Sequence, residues 1–129
     1  MSDQSPKEVQ YKDSIDRKKK HGLTPLGIKT SFTWDSDPKR LLFSLARYKF
    51  VSKMLAGKGR VLEIGCGDAF STRLVQQVVG SLVATDFDPI FVDDANERME
   101  KNGNSKPGYT MPFQILLGMP NLTQPTVWM

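Results

Sequence analysis

The residues best placed to do chemistry fall in two short stretches, Arg60-Val61-Leu62-Glu63-Ile64-Gly65-Cys66-Gly67-Asp68-Ala69-Phe70 and Ala84-Thr85-Asp86-Phe87-Asp88-Pro89. In the first, Val61, Leu62 and Ile64 form the apolar run of a strand covered on both faces, and Gly65 and Gly67 supply a turn free of Cβ atoms. Glu63 stands at the carboxyl end of that run, where an uncompensated charge is costly unless it faces a crevice. Asp86 closes a second apolar run, Leu82-Val83-Ala84-Thr85, 21 positions beyond Gly65. A carboxylate roughly 20 residues past a glycine turn is placed to accept both hydroxyls of a ribose. The chemistry these types and spacings suggest is the binding of a nucleoside cofactor, with Glu63, Gly65, Cys66, Gly67, Asp86 and Phe87 as its candidate contacts.

Two glycines alone serve any tight turn, so the reading depends on the strand before them, the helix after them and the distant acid. A dinucleotide site would want a third glycine where this chain has Phe70, since close approach to a pyrophosphate leaves no room for a ring. A phosphate loop ending in Gly-Lys-Ser/Thr does not occur. Cys66, between glycines and with no histidine near it in sequence, reads as packing rather than as a nucleophile. The one histidine, His21, precedes a glycine break with no partner motif beside it and reads as exposed. Asp93, Asp94, Glu97 and Glu100 could suggest a metal, but their spacing fits the solvated face of a helix better.

The same residues carry a resemblance. Glu63-Ile64-Gly65-Cys66-Gly67-Asp68-Ala69 followed by Ala84-Thr85-Asp86-Phe87-Asp88-Pro89 resembles the first two motifs of the class I S-adenosylmethionine-dependent methyltransferases, over about residues 60 to 100. The resemblance implies that the glycine turn closes over the methionine part of S-adenosylmethionine and that Asp86 binds the ribose. It also implies a carboxylate, Glu63, near the cofactor's positive charges, and an upstream Arg or Tyr at its carboxylate, for which Arg47 and Tyr48 are candidates beside their plainer roles as a surface base and a core aromatic. Ala69 stands where the family often has a third glycine. The implied reaction is in-line attack by an O, N or C nucleophile on the sulfonium methyl, catalysed mainly by alignment, with a general base for some acceptors. Neither acceptor nor base is named by the sequence.

The elements that must position these residues can be read outward from the glycine turn. A helix is expected from about Phe70 to Val79, completing a βαβ unit with the two strands. Upstream, Asp37 reads as an N-cap with Pro38 at the first helical position, Leu41, Leu42, Leu45, Tyr48 and Val51 as the inward face, and Gly57 as the stop. Asp88-Pro89 opens another helix with Ile90, Phe91, Ala95 and Met99 inward and Gly103 at its end. Residues 23 to 37 read as a loop or short extended segment over the core, with Trp34 partly buried. Residues 1 to 22 are polar, with a frayed helix over 7 to 20 and too few apolar anchors to offset their ordering entropy. Phe113 to Leu117 offers a third strand; beyond it, residues 118 to 129 show two prolines, no acid and no period, where the family would place an adenine-binding residue and a fourth strand.

These expectations combine into an α/β, Rossmann-like parallel sheet with flanking helices, incomplete at about three strands, with residues 1–33 as arm and loop and 34–129 as a partial cofactor-binding domain. The 129 residues, 39% hydrophobic and 25% charged, suit one globular domain. One cysteine excludes an internal disulfide, and the lack of a cleavable leader or long apolar span leads to a cytoplasmic expectation. The net charge of +4 comes largely from the Arg17-Lys18-Lys19-Lys20 run rather than from a patterned face, so a nucleic-acid partner is disfavoured. Two functions follow: a methyltransferase, inactive if truncated, or a non-enzymatic cofactor-binding or interaction module. A sheet ending at its third strand would also leave the outer edge of Val61 to Ile64 open, which predicts self-association.

Overall fold

The computed structural model of the chain describes residues 6–101, 113–118 and 125–129. Its centre is a parallel sheet in the order β3-β2-β1-β4, formed by β1 (Arg60–Ile64), β2 (Ser81–Asp86), β3 (Phe113–Leu117) and β4 (Val127–Trp128). β1 and β2 run in register from Arg60 opposite Ser81 to Ile64 opposite Thr85, and β3 continues the sheet from Leu82 opposite Phe113 to Asp86 opposite Leu117. Val61, Leu62, Leu82 and Ala84 are completely or almost completely buried, as expected of central parallel strands covered on both faces. The α/β, incomplete Rossmann-like reading therefore holds, and among the described residues a two-residue fourth strand joins the three expected.

The fourth strand corrects the expectation of an open edge on β1. Val127 and Trp128 pair with Val61 and Leu62, the Met129 N–H donates to Leu62 O at 2.8 Å, and the Ile64 N–H donates to Met129 O at 3.2 Å. Two residues are too few to show an alternating pattern, and Pro125 just before them argues locally for a break. Unpaired backbone groups on β1 are what give so short a segment its strand conformation.

The helices follow their capping chemistry more closely than their apolar patterns. α3 (Pro38–Leu55) begins as expected, with Asp37 Oδ1 accepting from the Lys39 N–H at 3.2 Å and Pro38 in the first turn. It lays Leu41 and Leu55 into the core with Tyr48 and Val51 partly buried beside them, whereas Leu42, expected inward, is exposed. α5 (Pro89–Lys101) is capped by Asp88 Oδ1, which accepts from the Ile90 N–H at 3.0 Å. Its inward residues are Val92 and Ala95, with Met99 packed beside them; of the other two residues expected inward, Phe91 is partly buried and Ile90 is exposed. The expected stop at Gly103 lies outside the described residues.

Two segments differ from expectation. Residues 23–27 are the expected loop, but 28–36 are not: α2 (Ile28–Ser36) is helical, and Trp34 on it is 55% exposed rather than partly buried. The helix after the glycine turn contracts to α4 (Arg73–Gln76). Around it the Leu74 and Val75 N–H groups bond three residues back, to Ser71 O and Thr72 O at 3.0 Å each, the tighter spacing of a turn. The fully buried Thr72 is held through its hydroxyl by Glu63, and Val75, Val78 and Val79 crowd the helix before Gly80, which leaves room for one regular turn. The polar start of the chain forms a short 3-10 turn (Val9–Tyr11) and α1 (Lys12–His21) with no buried residue in either.

Deleting residues 127–129 should expose the outer edge of β1. The loss of the backbone hydrogen bonds of this pairing, including the two made by Met129, predicts a stability decrease of at least roughly 1–3 kcal/mol, visible in a denaturant melt. Light scattering should then show more association than the full chain does; unchanged melting and size would mean that β4 contributes nothing to the sheet.

Candidate functional site

The site forms where β1 and β2 end side by side. Past Ile64 the chain turns through Gly65 at φ 76°, Gly67 at φ 58° and Ala69 at φ 56°. The turn is tied to the end of β2, with the Gly65 and Cys66 N–H groups donating to Thr85 O at 2.8 and 3.0 Å and Thr85 Oγ1 donating to Glu63 O at 3.0 Å. Since β2 and β3 lie on one side of β1 and β4 on the other, the strand order reverses at β1. In open parallel sheets, that reversal opens a crevice at the carboxyl ends of the strands, and ligands bind there.

Three buried carboxylates surround this turn. Glu63, 3% exposed, accepts from Thr72 Oγ1 at 2.6 Å through one oxygen and from the Tyr48 hydroxyl through the other. Asp86, 8% exposed, accepts from the Gly67 N–H at 2.8 Å through Oδ2 and from the Asp88 N–H at 3.0 Å through Oδ1. Asp68, 4% exposed, accepts from the Thr30 N–H at 2.7 Å, the Thr30 hydroxyl at 3.1 Å and the Phe70 N–H at 3.3 Å. Every buried carboxylate is thus satisfied by donors, as burial requires.

The electrostatic consequence is felt by Cys66, the thiol between the two glycines. Burial, the carboxylates of Glu63 and Asp86 and, more weakly, that of Asp68 push it up to about 12, so it is a neutral thiol at physiological pH. That agrees with the packing role expected of it, since the thiolate is the reactive form. Burial likewise raises Glu63 above its ordinary carboxylate value, opposed by the Thr72 and Tyr48 hydroxyls. Tyr48 is raised by burial and by the adjacent Glu63, so its hydroxyl remains a donor.

Of the six candidate residues, Glu63, Cys66 and Gly67 line the buried side of the turn, Asp86 braces it, Gly65 is open to solvent and Phe87 projects outward, 87% exposed. Glu63 meets two hydroxyls rather than an open crevice. Tyr48 spends its hydroxyl on Glu63 and Arg47 lies exposed on α3, while a cation that sequence reasoning missed sits at the turn. A Cβ placed on Gly67 would lie 3.7 Å from Lys29 Cδ and 3.9 Å from Lys29 Nζ. Asp68 was missed as well, although an Asp inside a glycine turn was visible in sequence; the helix start it caps, α2, was not. Among the described residues, no group of His, Cys, Asp and Glu has metal-binding geometry, and no helix is long and apolar enough to cross a membrane.

No known family profile matches this chain, and no curated protein does. Among solved structures it is similar to the YcgJ protein from Bacillus subtilis, at 20% identity over 61% of this chain and 32% of that one, with a TM-score of 0.45. It is also similar to a putative sarcosine dimethylglycine methyltransferase from Galdieria sulphuraria, at 19% identity over 83% and 41% with a TM-score of 0.43. A third, an S-adenosylmethionine-dependent methyltransferase from Thiobacillus denitrificans in complex with S-adenosyl-L-homocysteine, shares 17% identity over 81% and 36% with a TM-score of 0.41. The chain spans less than half the length of each.

Two substitutions test the turn. Ala69 holds a left-handed backbone that costs a residue with a Cβ roughly 1–2 kcal/mol, partly offset by the ~0.5–1 kcal/mol entropic cost of glycine. Ala69→Gly should therefore raise stability by up to about 1 kcal/mol, a shift of a few degrees in Tm. The second concerns Glu63, whose native carboxyl holds its proton more tightly than the unfolded one. Between the ordinary value of 4.5 and the raised native value, the native state binds more protons, so stability falls as pH rises through that window. Denaturant titrations across this range should show the decline in the parent and a flatter profile in Glu63→Gln.

Proposed function

We propose that this chain binds S-adenosylmethionine at the glycine turn and is the cofactor-binding part of a methyltransferase acting on an O, N or C acceptor. The observation that carries the reading is the convergence of three buried carboxylates, Glu63, Asp68 and Asp86, on a glycine turn at the carboxyl end of a central parallel strand. A dinucleotide brings a pyrophosphate and would meet negative charge here, and Phe70 takes the place of the third glycine it needs. S-adenosylmethionine brings no phosphate and carries positive charge at its sulfonium and amino groups, so the same field favours it.

The donor set fits this group. Asp86 uses one lone pair on each oxygen for the Gly67 and Asp88 N–H groups, and a carboxylate has about four such sites, leaving capacity for two ribose hydroxyls. Gly65, with open space where its Cβ would be, and Gly67 let a ligand approach the backbone. Phe87 offers an exposed ring next to Asp86, suited to the flat face of a base. Lys29 provides a cation for the cofactor's carboxylate. Glu63, already paired, acts through its field and by fixing Tyr48 and Thr72 beside the turn.

When bound, the cofactor supplies an electrophilic methyl group. The chain's own contribution is to hold the nucleoside end rigidly and to keep Cys66 protonated, so that this thiol does not compete for the methyl. The acceptor's nucleophile and any general base are not assigned among the described residues. Binding and transfer are therefore tested separately, since a cofactor-binding module would show the first without the second.

Calorimetric titration with S-adenosylmethionine and S-adenosylhomocysteine should give saturable binding, with none for a nicotinamide dinucleotide. Asp86→Ala should weaken it by about 1.5–3 kcal/mol, or roughly ten- to a hundredfold in Kd, through lost hydrogen bonds to a charged group. A folded Asp86→Ala variant with unchanged affinity would refute the assignment of the ribose site.

A further inference from the structure

The contacts of α2 give this helix a role beyond the cofactor contacts above. Its N-cap position is Gly27, which has no side chain to accept from the first turn. Two acids distant in sequence do so instead: Asp94 Oδ2 accepts from the Ile28 N–H at 3.2 Å, and Asp68 Oδ2 from the Thr30 N–H at 2.7 Å, with the Thr30 hydroxyl donating to Asp68 Oδ1. Arg98 joins the two acids' neighbourhoods, with its Nε on Asp94 Oδ2 at 3.2 Å and its guanidinium donating to Asp68 O. Gly27 is buried at φ 106°, and a Cβ there would lie 2.6 Å from Asp68 Oδ2, so the helix start is seated against the turn with no space between.

That seat is almost entirely polar. Thr30 is the only buried residue of α2, and Ile28, Phe32 and Trp34 are exposed. α2 is tied to the turn by hydrogen bonds to Asp68 and Asp94 and runs at its other end through Asp37 into α3, against which it packs. With only Thr30 buried on it, its start belongs to the low-stability end of a fold and can open about that junction separately from the core. What it covers is the ligand turn, because its Lys29 side chain lies over Gly67.

We propose that α2 is a strap across the glycine turn, latched by Asp68, Asp94 and Arg98, and that it must lift for the nucleoside ligand to enter or leave. Asp68 is then a positioning residue: through Phe70 it shapes the turn, and through Thr30 it closes the strap over it. The inference rests on the nucleoside reading for the identity of the ligand, but the latch can be tested without it.

The variant of choice is Asp94→Ala, which removes one cap and the Arg98 ion pair without touching the turn; Asp68→Asn serves as a second. Hydrogen exchange followed by mass spectrometry on the full chain should show residues 28–36 exchanging at least about tenfold faster in Asp94→Ala, with β1 and β2 unchanged. Stopped-flow release of S-adenosylhomocysteine should accelerate by a similar factor. Unchanged exchange of 28–36, or faster exchange with unaltered release, would overturn the strap. If the parent binds no S-adenosylhomocysteine, the nucleoside reading fails on its own; a local exchange response then supports the latch, and a global or absent one overturns it.

Discussion

Three buried carboxylates, Glu63, Asp68 and Asp86, each needing hydrogen-bond donors, constrain everything around the glycine turn. A carboxylate taken out of water loses its hydration, so the arrangement persists only because each is given donors from the surrounding chain. Glu63 draws on α3 and the segment before α4, Asp86 on the turn and the start of α5, and Asp68 on α2. Meeting these hydrogen-bond demands fixes where the helices sit relative to the strands. Tyr48 is half-buried on an otherwise exposed stretch of α3 because Glu63 requires its hydroxyl, and Thr72 is fully buried despite its polarity for the same reason.

The same constraint couples the fold to its ligand chemistry. A protein could satisfy three acids with lysines or arginines and cancel the charge, but most of the donors here are neutral hydroxyl and amide groups. None of these hydrogen bonds to the three carboxylate groups comes from a cation, and the Cys66 thiol, raised first by its burial, is raised further by Glu63 and Asp86. Arg98 and Lys29 stand at the side where α2 lies, Arg98 donating to the Asp68 backbone oxygen and Lys29 reaching over Gly67.

Much of the arrangement was legible in the sequence. The strand, glycine turn and distant acid specified the βαβ unit, and Asp37-Pro38 and Asp88-Pro89 specified two helix starts, because both signals are local and act through backbone geometry. Ala69 was legible in part: it stands where a third glycine is common, and the structure gives it the backbone angle that glycine would favour. What was not legible depends on partners far away in the chain. α2 has a poor local start, since Gly27 offers no cap, and its helical state rests on acids 38 and 66 residues downstream. β4 is two residues long and owes its conformation to the open edge of β1. Which face of α3 and α5 turns inward was read only approximately, because Leu42 and Ile90 fit the apolar period while the sheet and the caps set the rotation.

The correction at β4 changes more than a strand count. With three strands in the order β3-β2-β1, β1 would be an edge, and the glycine turn would open at the rim of the sheet with water on one side. Pairing of Val61 and Leu62 with Val127 and Trp128 makes β1 internal and places the reversal of strand order beside the turn. It also brings Met129, partly buried against the core, to the carboxyl end of β1, where its backbone accepts from the Ile64 N–H. The crevice at such a reversal exists because the connections leave the sheet in opposite directions on either side of it. The last residues of the chain thus give the turn its position within the sheet, although none of them resembles a binding motif. The candidate site at residues 63 to 86 depends for its geometry on a pairing more than forty residues away.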